Sequence, residues 1–148
     1  MTLADSMNSS PVTCPPDASV QQAARMMGQN RVGSVVVVDE AGRPVGIVTD
    51  RDLAVRVVGL GRSGDTAVSE VMTAEPVTIA VTGSLADAVR QLATRGCRRL
   101  PVVDPTDRRL VGVFSLDDAL LETIENAQAI ARVVGEERGD RLSGLFAG

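Results

Sequence analysis

The chain of 148 residues contains no histidine, tryptophan or tyrosine, and Phe114 and Phe146 are its only aromatic residues. Histidine is the commonest general base and metal ligand, so its absence excludes Ser-His-Asp and Cys-His arrangements. A bound base would find no tryptophan or tyrosine to stack on. Cysteine is nearly as scarce: Cys14 and Cys97 stand in no C-x-x-C spacing, which excludes a zinc ribbon or a dithiol redox motif and fits a reduced cytoplasm. The longest apolar run, Val35 to Val38, is far short of the ~20 residues that span a bilayer. The opening "MTLADSMNSS" has no basic region leading into an apolar one, so neither export nor membrane anchoring is expected. A net charge of −4 removes the basic footprint of a nucleic-acid binder.

What remains has the composition of a soluble globular domain, 44% apolar and 23% charged. At this length roughly 68–70% of the unfolded surface is buried on folding, enough to fold without disulfide or metal. The sequence is written twice. Ser6 to Asp39 aligns without a gap on Val71 to Asp104 at an offset of 65, and Met7, Pro11, Val12, Thr13, Ser19, Ala23, Arg25, Val37, Val38 and Asp39 keep their identity in the second copy. One extra residue in "DPTDRR" moves the offset to 66, where "GIVT" from Gly46 meets "GVFS" from Gly112. The period is longer than that of a typical solenoid.

Each copy starts with a short extended piece (Val12 to Cys14; Val77 to Ile79) and turns into an amphipathic helix with Ser19 or Ser84 as N-cap. Two strands follow, "VGSVVVVD" and "PVGIVT" in the first copy, "RRLPVVD" and "LVGVFS" in the second. Such Val/Ile runs bounded by turn residues suggest strands buried on both faces. A second helix starts near Asp50 and near Leu116. The "GLGRSGDTAV" segment between the copies reads as a flexible loop.

The strand-to-helix junctions read "TDRD" and "SLDD". This is the capping-box pattern, with Thr49 and Ser115 as N-caps and Asp52 and Asp118 at N3, each cap worth ~1 kcal/mol. The usual partner is Glu or Gln, so the shorter Asp is expected to leave its carboxylate freer to face outward. A helix start also favours anions, and a carboxylate can accept both hydroxyls of a ribose. The residues alone leave both roles open.

The ordered set "VMTAEPVTI", "RRLPVVD" and "LVGVFSLDD", with "GIVTDRDL" earlier, resembles a tandem pair of cystathionine-beta-synthase (CBS) domains, a Bateman module, over roughly Leu3 to Ile124. The resemblance implies an α+β fold of two pseudo-two-fold-related repeats, each a small three-stranded sheet packed with two helices. The expected boundaries are repeat 1 at 3–60, a linker at 61–67, repeat 2 at 68–124 and a helical extension and tail at 125–148. It further implies a non-catalytic regulatory module that binds an adenosine-containing ligand (AMP, ADP, ATP, NAD or S-adenosylmethionine) between its repeats, forms a homodimer and acts on another protein. A ligand-free adaptor of the same fold is the alternative.

Carried onto these residues, the resemblance puts Asp52 and Asp118 on ribose, Thr49 and Ser115 on ribose or phosphate, and Thr13 and Thr78 along the same cleft. Val12, Val35 and Ile47 would flank the adenine. Arg98 and Arg99 stand where some relatives bind phosphate, and strand alternation allows only one of the two into the cleft. Their counterparts Gly33 and Ser34 are small and uncharged, so two equal sites are not expected, and Asp117 adds negative charge beside Asp118. Beyond the repeats, Leu120, Ile124, Ala127, Ala131 and Val134 form one helical stripe. Its first half is expected in the core and its second over a neighbouring face, with a dimer contact as the competing reading. Fraying is expected from Gly135, with Leu142, Leu145 and Phe146 available to a partner.

Overall fold

A computed structural model of the chain describes residues 2–146, with side chains described through residue 136. The order is α1 (Leu3–Ser6), β1 (Thr13–Cys14), α2 (Val20–Asn30), β2 (Ser34–Val38), β3 (Pro44–Thr49) and α3, which runs as an α-turn over Asp50–Asp52 and as a π-helix over Leu53–Val58. A 3₁₀ turn (Val68–Glu70) leads to β4 (Thr73–Ala74), β5 (Ile79–Ala80), α4 (Leu85–Arg95), β6 (Arg99–Val103), β7 (Leu110–Ser115) and α5 (Leu116–Phe146). Both long repeat helices start as the sequence predicts. Ser19 Oγ accepts from the Gln22 amide at 3.1 Å and Ser84 Oγ from the Asp87 amide at 3.0 Å, filling orphan donors of the first turn.

In each repeat a short strand runs parallel to the central strand, which pairs antiparallel with the next: β1 with β2 and β3, β5 with β6 and β7. Both central strands carry a register shift at the same place, Val37/Val38 and Val102/Val103. One face of each sheet is covered by helices. Val35, Val37 and Val48 join Ala23, Met27 and Val57 in the first core, while Leu100, Val102 and Phe114 join Ala88 and Leu92 in the second. Successive strand residues point to opposite faces. Val36 and Pro101 therefore face away from these cores, yet both are buried.

The cores are not each built from one copy. Leu3 of α1 is fully buried in the second core, and its repeat equivalent, Val68, is fully buried in the first. The strands exchange in the same sense: β4 adds a fourth strand to the first sheet through Ile47–Thr73 and Gly46–Ala74, and Asn8 forms a single bridge to Val113 of the second. The first sheet is thus four-stranded rather than three-stranded. Glu122, the one buried charged residue among those described, accepts a 2.7 Å hydrogen bond from Ser6 Oγ and ties α1 to α5.

Two expectations need correction. The segment between the repeats is pinned: the Thr66 and Gly64 carbonyls accept from the Val20 and Gln21 amides at 2.8 and 3.1 Å, giving the start of α2 the partners its first turn lacks. The α5 stripe is not core, because Leu120, Ile124, Ala127, Ala131 and Val134 are all exposed. Past Glu122 every described residue of α5 is exposed, so only its first turns cover the second core. Its backbone continues to Phe146, beyond Gly135, and the side chains of Leu142, Leu145 and Phe146 lie outside the described residues.

Candidate ligand cleft between the two repeats

Both strand-to-helix junctions form complete capping boxes. Thr49 Oγ1 accepts from the Asp52 amide at 3.1 Å, and Asp52 Oδ2 accepts from the Thr49 amide at 2.9 Å. At the second junction Ser115 Oγ accepts from the Asp118 amide at 3.1 Å, while Asp118 Oδ2 accepts from the Ser115 amide at 2.9 Å and from its hydroxyl at 2.8 Å. The expectation of an outward carboxylate is corrected here: with an extended N-cap backbone, the shorter Asp arm still reaches the N-cap amide. One carboxylate oxygen of each residue stays outside the box. That of Asp52 lies 3.9 Å from Arg56 Nε.

A cavity of about 230 Å³ opens between the repeats. The first copy contributes Asn8, Pro11, Val12, Arg31, Val32, Gly33, Ser34 and Val36, and the second contributes Arg99, Val113, Ser115, Asp117 and Asp118. Arg99 and Ser115 are direct partners across β6 and β7, so their side chains leave the sheet on the same face. Arg99 reaches over Gly33: its Nη2 lies 2.9 Å, and Asp50 Oδ2 3.3 Å, from the point where a Cβ on Gly33 would stand. A larger side chain at position 33 would take the space of this guanidinium.

Of the ligand contacts expected from the sequence, Val12, Arg99, Ser115 and Asp118 meet in this cavity and the others do not, while Gly33, Ser34 and Asp117, noted there for their size or charge, line it too. Arg98 is exposed and stays outside, as strand alternation requires of one of the pair. Val35 is a correction: it lies wholly within the first core, and its neighbour Val36 takes the cleft-side position. Thr13 lines two more open depressions, of about 560 and 520 Å³, beside Cys14, Pro15 and Asp17 on the first repeat. Thr78 is half-buried outside the cavity. Thr49, Asp52 and Ile47 sit at the pseudo-symmetric position, where Ile47 is held between Val36 and Thr73 in the first sheet.

Sequence reasoning missed Arg31. It ends α2 in the left-handed conformation, φ 53° and ψ 45°, and its counterpart at the end of α4 is Gly96, φ 62° and ψ 25°. An L side chain there costs about 1–2 kcal/mol that glycine avoids. The alignment of Arg31 with Gly96 was the signal. Neither thiol is poised for nucleophilic work, since burial pushes the Cys14 and Cys97 thiols up from their ordinary range, leaving less thiolate at neutral pH. Among the described residues no three His, Cys, Asp or Glu side chains gather as a metal site requires, and no helix is long and apolar enough to cross a membrane.

Two interlocked α+β repeats around a shared polar cleft define a paired-repeat binding module. The family model described as "CBS domain" matches twice, over residues 3–59 and 68–125, and the chain belongs to that family. It is 40% identical over 125 residues to the CBS domain-containing protein YhcV of Bacillus subtilis, covering 84% of this chain and 87% of that one. Among solved structures it is similar to the CBS domain protein PAE2072 of Pyrobaculum aerophilum complexed with AMP, with a TM-score of 0.73, 27% identity, and 80% and 89% of the two chains covered. It is also similar to CBSX2 in complex with AMP, with a TM-score of 0.72, 27% identity and coverage of 85% and 98%.

Proposed function

We propose that the chain is a non-catalytic regulatory module of the cytoplasm that holds an adenosine-containing ligand between its repeats and passes its occupancy to a partner protein. The observation that carries this reading is the joint construction of the cleft, with Ser115, Asp118 and Arg99 of one repeat opposite Val12, Ser34 and Val36 of the other. The AMP complexes of PAE2072 and CBSX2 support an adenosine ligand. At about 230 Å³ the cleft is smaller than the ~300–1,000 Å³ of most small-molecule sites. A nucleotide enters by widening it or by leaving part of itself in solvent. A ligand that binds the widened state better shifts the tilt between repeats by its differential affinity.

Thermal unfolding with AMP, ADP, ATP, NAD and S-adenosylmethionine tests the reading. A ligand at about 100 times its dissociation constant adds ~2.7 kcal/mol, and Asp118→Ala abolishes that gain. A ligand-free adaptor is the second reading, favoured by the complete capping boxes, which already occupy both hydroxyls and one oxygen of each Asp. It stands if no compound shifts the wild-type protein and the variant loses only a cap.

The partner reading includes a second copy of the chain. Exposed Val55 and Val58 on α3 recur as exposed Leu121 and Ile124 on α5 at the repeat offset, so both repeats offer the same apolar pair to a symmetric mate. Sedimentation of Val58→Glu combined with Ile124→Glu is expected to give a monomer where the wild type gives a dimer.

A further inference from the structure

Arg31 and Arg99 enter the cleft from different repeats, one from the end of α2 and one from the start of β6. Neither guanidinium has a hydrogen bond or an ion pair among the described residues, where the ion pairs are Arg56–Asp52 and Arg90–Asp87. Their repeat equivalents are Gly96 and Ser34, so this pair of charges is not a product of the duplication. Arg31 also holds a backbone conformation that glycine would hold at no cost, and glycine does so at the matching place. Strain retained in a cleft points to use of the side chain.

Carboxylates share the cleft: Asp117 and Asp118 line it, and Asp50 Oδ2 lies 3.3 Å from the same Gly33 Cβ position that Arg99 Nη2 approaches to 2.9 Å. Asp118 turns one oxygen into its capping box at the start of α5, which leaves the other for neutral hydroxyl donors. A ligand that carries both hydroxyl donors and an anion satisfies Asp118 and the two guanidiniums.

We propose that Arg31 and Arg99 form a clamp, one arm from each repeat, on the phosphate of an adenosine 5′-phosphate, and that Arg31 is the residue that makes this cleft favour phosphorylated over unphosphorylated adenosine. The proposal rests on the adenosine reading given above. It makes the phosphate the element that bridges the repeats, since each arginine belongs to a different one.

Isothermal titration with AMP and with adenosine tests it, using the wild type, Arg31→Gly and Arg108→Gly. Arg108 is also left-handed, φ 63°, and its repeat equivalent is Gly42, but it lies in the β6–β7 turn and not in the cleft. Each variant thus removes one positive charge and one strained backbone position. The expected result is that Arg31→Gly weakens AMP roughly ten- to a hundredfold and adenosine by less than about threefold, while Arg108→Gly leaves both unchanged. Equal binding of AMP and adenosine by the wild type, or of AMP by wild type and Arg31→Gly, overturns the clamp and leaves the adenosine reading standing. Failure of the wild type to bind either compound removes the clamp, while the adenosine reading then stands or falls with ATP, NAD and S-adenosylmethionine in the thermal-unfolding test.

Discussion

The guanidinium of Arg99 fills the space that a side chain at Gly33 would need, with Nη2 2.9 Å from the missing Cβ. The first repeat stays small where the second carries charge, and the cleft is shaped by that difference. Gly33→Ala is expected to leave the melting temperature within a few degrees of wild type, because the group that must yield is the far end of a flexible side chain. The same substitution should weaken AMP several-fold by displacing Arg99, read by titration. A loss of more than about 2 kcal/mol would mean that the backbone, not the arginine, had to move.

Met72 lies over Gly46 and Met7 over Gly112, the same relationship in both repeats. Alanine at either glycine should destabilise by about 1–3 kcal/mol, measured by urea unfolding. Gly112→Ala is expected to cost more, since its Cβ would also stand 2.9 Å from the Asn8 carbonyl oxygen, which cannot rotate away as a methionine can. Pairing Gly46→Ala with Met72→Ala should recover part of the loss.

Asp52→Ala and Asp118→Ala should each cost about 1 kcal/mol through their capping boxes. Asp118 accepts from both the amide and the hydroxyl of Ser115, so a double-mutant cycle between these residues should give a coupling energy above ~0.5 kcal/mol. A coupling near zero would show that solvent replaces the Ser115 hydroxyl without loss.

Thiol labelling separates the two cysteines. Cys14 is 4% exposed and Cys97 is half-buried, and burial raises both thiols above their ordinary range. Iodoacetamide at neutral pH should modify Cys97 first and Cys14 slowly, and both rates should still be climbing above pH 9 as thiolate forms. Faster labelling of Cys14 would show that the first core opens readily.

Much of this was legible in the sequence for a physical reason. Turn residues bound each Val/Ile run, so "PVGIVT" and "LVGVFS" coincide with β3 and β7 to the residue. Facing is harder: four consecutive valines carry no period-two signal, and the placing of Val35 beside the ligand failed there. Arg31 looked like any polar helix end, because a left-handed φ leaves its mark only in the matching Gly96. The exchange of Leu3 and Val68 between cores was invisible, since each sits in an apolar pattern compatible with packing on its own copy.

That exchange also sets an order in time. As the chain leaves the ribosome, the first core cannot close until Val68 and Val71 have been made. Leu3, made before either repeat's strands, must wait for Leu100 and Phe114 before it has a place to be buried. The segment ahead of the first strand is therefore settled later than the strands that follow it, and the Ser6–Glu122 hydrogen bond forms only after the second repeat has been made.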